Sequence, residues 1–144
     1  VANAFGVVGG AANAIAPGKR MLSSMTPSLV TRDGKVTLVL GTPGGSRIFT
    51  SIFQLLNNLY DYDLPLQEAV AAQRVHHQLL PKDTIYYDSH APLTGKVADE
   101  LKAMGYTLED QGWEMGDIQA IRINGTQVET ASDPRGRGVG VVVK

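Results

Sequence analysis

Three kinds of hydrophobic pattern run along the chain, and each predicts its own element. Ser28-Leu29-Val30-Thr31 and Val36-Thr37-Leu38-Val39-Leu40 are rich in β-branched residues and flank Arg32-Asp33-Gly34-Lys35. Asp-Gly between two such runs predicts a β-hairpin. The second run is apolar except for Thr37, as expected of an inner strand covered on both faces. Ile48, Ile52, Leu55, Leu56 and Leu59 then recur at helical spacing, with Phe49, Phe53 and Tyr60 on an adjoining face. That pattern predicts a helix buried against the sheet and ended by Asp61 to Pro65. A second helix is expected from Pro65 into Arg74-Val75-His76-His77-Gln78. Thr84-Ile85-Tyr86-Tyr87 reads as a short strand. Ser89 reads as a cap before a helix carrying Leu93, Val97, Leu101 and Met104, closed by Gly105. Asp117 to Ile123 alternates as a strand, Asn124-Gly125 signals a type I′ turn, and Thr126 to Thr130 returns.

The remaining stretches are less regular. Residues 4–9 read as a short strand ending in Gly9-Gly10. Residues 10–27 show no helical period and form an ordered loop, a length of loop that is often functional. The glycine-spaced tail, residues 136–143, is either an edge strand or loose. Strands and helices come in pairs and blocks, so the expected fold is α+β with a mostly antiparallel sheet, one domain over residues 1–144.

Composition narrows the function classes. Hydrophobic residues make up 43% of the 144, enough for a real core. The formal net charge is −1 with no run of like charges, so neither nucleic acid nor an anionic membrane is an expected partner. No run of about 18 apolar residues offers a membrane span. Cysteine is absent, which removes disulfides, thiolate catalysis and cysteine metal sites. The chain starts at Val1, as expected if an upstream segment was removed or if this is a piece of something longer.

The candidate chemistry sits in two loops that the first hairpin should hold at one end of the sheet. Pro17-Gly18-Lys19-Arg20-Met21-Leu22-Ser23-Ser24-Met25-Thr26-Pro27 carries two adjacent hydroxyls. Gly41-Thr42-Pro43-Gly44-Gly45-Ser46-Arg47-Ile48 is a glycine-rich turn opening a helix, where free amides suit an anion or a developing oxyanion. No histidine lies near Ser23 and Ser24 in sequence, so their hydroxyls are expected to bind rather than attack. Arg20 and Arg47 flank the loops and are expected to brace them. His76-His77 lacks a partner at i+4 and reads as structural rather than as a metal site. The turn lacks the lysine and spacing of a phosphate-binding loop, and no motif calls for a cofactor or a metal. No two carboxylates read as a general acid/base pair, and Asp133-Pro134-Arg135 reads as a turn.

Four motifs together resemble γ-glutamyltranspeptidase. They are the Pro17–Pro27 run, Gly41–Ile48, Arg74-Val75-His76-His77-Gln78 and Ala131-Ser132-Asp133-Pro134-Arg135, and the likeness covers essentially the whole chain. The resemblance implies the C-terminal part of that enzyme's small subunit, within the αββα sandwich of an N-terminal-nucleophile (Ntn) hydrolase. It implies a precursor that cuts itself and a new N-terminal threonine that attacks a γ-glutamyl amide, its own α-amine serving as base. Ser23 and Ser24 match the serines that bind the substrate α-carboxylate. Gly44 and Gly45 match the oxyanion-hole glycines, the catalytic residues this chain would supply. The nucleophile lies upstream of this segment, and Thr26, Thr31 and Thr42 do not match it. Implied partners are γ-glutamyl compounds such as glutathione, the large subunit and the N-terminal part of the small subunit. The implied location is periplasmic or extracellular. Two rival readings are a catalytically silent ligand- or partner-binding domain and an acylase of the same superfamily with another acyl substrate.

Overall fold

Two antiparallel hairpins build the main sheet. The computed structural model describes Asn3 and residues 6–143. β1 (Ser28–Arg32) and β2 (Lys35–Gly41) pair around Asp33-Gly34, both at positive φ (51° and 73°), which is the type I′ geometry expected of that dipeptide. β6 (Gln119–Asn124) and β7 (Gln127–Ser132) form the second hairpin, and the sheet order is β1-β2-β6-β7. The central turn residues there are Gly125 and Thr126, because Asn124 still pairs with Gln127. Only Gly125 has positive φ, 62°, so the pattern is that of type II′ rather than the expected I′. β2 is an inner strand, as its composition indicated.

Helices cover one face of this sheet. α1 (Ile48–Tyr60) and α2 (Leu66–Ala71) pack Ile48, Ile52, Leu55, Leu59, Leu66, Ala69 and Val70 onto Leu38, Leu40, Ile118, Ala120 and Ala131. The opposite face carries the row Leu29–Val39–Ile121–Thr130 in register. Among the described residues no helix covers it, and Leu29 is 66% exposed. The expectation that β2 is covered on both faces therefore fails within this chain. The expected burial of α1's second face fails too: Phe49, Phe53 and Tyr60 stay about half exposed.

A smaller three-stranded sheet sits beside the first. β3 (Val75–His77) pairs antiparallel with β4 (Thr84–Tyr87), and β4 pairs parallel with β5 (Thr107–Asp110). A parallel pair needs a crossover, and α3 (Gly95–Ala103) provides it. Ile85, Leu93 and Ala98 form a separate small core here, flanked by Val75, Tyr87, Leu101, Tyr106 and Leu108.

Several local expectations are corrected. The second helix stops at Ala71, and Val75 to His77 is strand, because Gln54 on α1 brackets the Val75 backbone with its amide, accepting from the N–H and donating to the C=O at 2.9 Å each. Thr94, not Ser89, occupies the N-cap position of α3, and the Ala91 N–H is held by Asp88. Residues 6–9 are not strand; Ala4 and Phe5 lie outside the described residues. The tail runs without strand pairing along β7. A side chain on Gly138 would meet Ser132 Oγ at 2.5 Å, and one on Gly140 would meet Thr130 Oγ1 at 2.6 Å. Antiparallel main sheet, helices on one face and a small mixed sheet make this an α+β fold. Among the described residues no helix is long and apolar enough to cross a membrane.

Candidate functional site

The end of β2 and the start of α1 create the glycine turn. Gly44 (φ 142°) and Gly45 (φ 58°) take left-handed conformations that a side chain would strain, and a single 3₁₀ turn, Gly45–Arg47, leads into α1. The first amides of such a turn have no intrahelical acceptor. Among the described residues neither the Gly44 nor the Gly45 N–H donates a hydrogen bond. Their carbonyls are occupied: Gly44 O accepts from the Arg47 N–H at 3.1 Å, and Gly45 O accepts from the Ile48 N–H.

The serine loop reaches this turn directly. Ser24 Oγ donates to the Gly45 carbonyl at 2.9 Å across 21 residues. Ser23 Oγ accepts from the Met25 N–H at 3.2 Å, a local turn of the kind serine favours. Thr26 Oγ1 donates to the Ser24 carbonyl at 3.0 Å, stiffening the loop behind the pair. A serine hydroxyl has one proton to give. Ser24 has given its proton to the turn, while Ser23 keeps its own for another acceptor. Both serines are exposed. Beside Gly44 lies a depression of about 270 Å³ lined by Pro43, Trp113, Glu114, Gly116, Asp117 and Arg135. The serines do not line it.

Arg47 braces the turn, but through rings instead of carbonyls. Its guanidinium sits 4.8 Å from the Trp113 ring centre and 5.7 Å from that of Tyr86. Its Nε carries no hydrogen bond, and burial pulls its pKa below the usual arginine value, partly offset by Tyr86. Arg20 is exposed, away from these contacts. His76 is structural, as its sequence context indicated. Its Nδ1 meets Thr50 Oγ1 at 2.9 Å, its Nε2 meets Gln78 Oε1 at 2.6 Å, and burial lowers its pKa. His77 Nδ1 accepts from the Leu79 N–H. Among the described residues no cluster of His, Cys, Asp and Glu could hold a metal ion.

A buried charge cluster was not visible in the sequence. Arg74, Asp88, Asp133 and Arg135 all have side chains 3% exposed or less, and Arg74 and Arg135 each pair with Asp133. Arg135 Nε also donates to Asp88 Oδ2 at 2.7 Å. The cluster grips the loop beside Gly44. Met115 N–H donates to Asp88 at 3.0 Å, Met115 C=O accepts from Arg74 at 2.5 Å, and Ile118 N–H donates to Asp133 at 2.9 Å. Asp133-Pro134-Arg135 is a turn, as expected, but its two charged residues face inward. Only the Arg74 and Asp133-Pro134-Arg135 motifs, both quoted as part of the resemblance, hinted at it.

Comparison with known proteins agrees with this architecture. A family profile described as gamma-glutamyltranspeptidase matches residues 1–143. The chain is 83% identical over 144 residues to the glutathione hydrolase proenzyme of Pseudomonas aeruginosa, covering all of this chain and 26% of that protein. It is 44% identical over 136 residues to the Escherichia coli glutathione hydrolase proenzyme, covering 94% of this chain and 23% of that one. In structure it is similar to gamma-glutamyltranspeptidase from Pseudomonas nitroreducens complexed with L-DON. That match has a TM-score of 0.97 and 85% identity, over 100% of this chain and 75% of the other. The chain thus spans about a quarter of the length of these curated relatives, and it belongs to the gamma-glutamyltranspeptidase family.

Proposed function

We propose that this chain is the C-terminal portion of the small subunit of a glutathione hydrolase/γ-glutamyltransferase and supplies half of its site. In this reading a threonine Oγ from outside the chain attacks the γ-carbonyl of glutathione or a related γ-glutamyl amide. The Gly44 and Gly45 amides receive the tetrahedral oxyanion, and Ser23 and Ser24 receive the α-carboxylate of the γ-glutamyl group, Ser23 with its free proton and Ser24 by turning its hydroxyl from the Gly45 carbonyl to the ligand. The amine leaves with a proton from the threonine side, and water or an acceptor amine then takes the acyl group from the threonyl ester. The active protein also needs the large subunit and the rest of the small subunit, released by self-cleavage of a precursor in the periplasm or outside the cell.

One observation supports this most: the Ser24 hydroxyl bonds the Gly45 carbonyl, bringing an exposed hydroxyl pair onto a turn with two unpaired amides. A substrate–variant cycle on the full-length protein tests it. Ser23→Ala/Ser24→Ala should raise KM for a γ-glutamyl anilide by about 10- to 100-fold, the scale of lost hydrogen bonds to a charged group. Amidating the substrate's α-carboxylate should lower kcat/KM for the parent and have little further effect on the double variant. Equal losses on amidation in both proteins would refute the carboxylate assignment.

A further inference from the structure

The direction of an amide N–H is set by the carbonyl on the other side of its peptide plane, since the two point oppositely in a trans peptide. The Gly45 N–H shares its plane with the Gly44 carbonyl, which the Arg47 N–H already holds. The Gly44 N–H shares its plane with the Pro43 carbonyl, and one side chain contacts that oxygen as a donor: Thr42 Oγ1, at 2.8 Å. The same hydroxyl accepts from the Asp117 N–H at 2.8 Å, across 75 residues of sequence. Gly116, at φ 83°, lies so close that a Cβ there would collide with Thr42 Oγ1 and meet the Pro43 carbonyl at 3.1 Å. The loop on this side cannot yield easily. Its Met115 backbone is gripped at both polar groups by Asp88 and Arg74, and its exit at Ile118 by Asp133.

We propose that Thr42 is a positioning residue for the reaction: its hydroxyl latches the Trp113–Asp117 loop to the Pro43 carbonyl and so aims the Gly44 amide. Thr42 touches no reacting atom. It acts through the Pro43–Gly44 peptide plane, with the buried Arg74, Asp88, Asp133 and Arg135 cluster as the fixed support behind it. The inference rests on the reading of Gly44 and Gly45 as oxyanion donors. Oxyanion contacts strengthen in the transition state, so a misaimed amide lowers kcat and leaves substrate binding nearly intact.

The test uses the full-length protein and hydrolysis of a γ-glutamyl anilide, with rates expressed per folded, cleaved enzyme. Thr42→Val keeps the shape and removes the hydroxyl. It should lower kcat by about 10-fold or more, short of the roughly 100- to 1,000-fold seen when such a donor is lost outright. KM should change by less than about 3-fold. Thr42→Ser restores the hydroxyl and should return kcat to within about 3-fold of the parent. Gly116→Ala keeps the threonine but pushes the loop off it, and should reproduce the kcat loss with KM unchanged. An unchanged kcat in Thr42→Val or Gly116→Ala overturns the latch. So does a loss that Thr42→Ser fails to rescue, or one carried by KM. A parent protein that does not hydrolyse the anilide at all would instead overturn the proposed function itself.

Discussion

Ser23 and Ser24 are adjacent yet differently employed, and the difference is measurable. Ser24 spends its proton on the Gly45 carbonyl, so its removal loosens the turn as well as any ligand contact. Ser23 only accepts a local amide and keeps its donor free. In the full-length protein Ser23→Ala should therefore raise KM with kcat nearly unchanged, whereas Ser24→Ala should raise KM and also lower kcat by several-fold; steady-state kinetics separates the two. His76 carries a second residue-scale expectation. Burial lowers its pKa in the fold, with Gln78 opposing and Arg47 and His77 adding to the effect. The unfolded chain then takes the proton first as pH falls, so this stabilisation is full above about pH 6.5 and is lost as pH drops toward the folded value. Urea midpoints should fall between pH 7.5 and 5.5 in the parent and stay flat over that span in His76→Gln.

Elements with a strong local signal formed where their residues indicated. Asp33-Gly34 can place two consecutive residues at positive φ, and α1 repeats its apolar residues over 13 positions. The two halves of the candidate site were also readable, because Ser23-Ser24 and Gly44-Gly45 are contiguous in the chain. What bridges distant segments was not. β5 has no alternation in Thr-Leu-Glu-Asp and exists because β4 offers it a parallel edge. β3 replaced the end of the second helix because Gln54, 21 residues earlier, satisfies the Val75 backbone. Phe49 and Phe53 read as core by composition, yet both stay more than half exposed in this chain. The two faces of α1 should respond unequally in the 144-residue chain. Leu55→Ala, at a 1% exposed position, should cost about 2–5 kcal/mol in urea unfolding, and Phe53→Ala only about 0.5 kcal/mol.

Across the whole molecule, four charged residues tie the two cores together and to the loop beside Gly44. Arg74 leads into the small sheet, Asp88 leaves β4, and Asp133 and Arg135 follow β7. Two positive and two negative side chains balance within the cluster, which is how charges this deeply buried are tolerated. Burial would raise the Asp88 carboxyl, but the Arg135 guanidinium and the Met115 and Ala91 amides outweigh it and hold its pKa below the ordinary aspartate value. A depressed carboxyl contributes stability above its unfolded pKa of about 4, and that contribution is lost as pH falls through the lower folded value. Asp88→Asn keeps the shape but leaves Arg135 short of a counter-charge, and breaking such a buried pair costs about 3–5 kcal/mol. The gap in urea midpoint between parent and Asp88→Asn should thus be wide at pH 6 and narrower at pH 3, below the unfolded pKa of about 4, where the unfolded parent takes up its proton before the folded one. A gap of the same width at both pH values would mean that the asparagine disturbs packing rather than charge, and the cluster would no longer account for how the two sheets are held against the glycine turn.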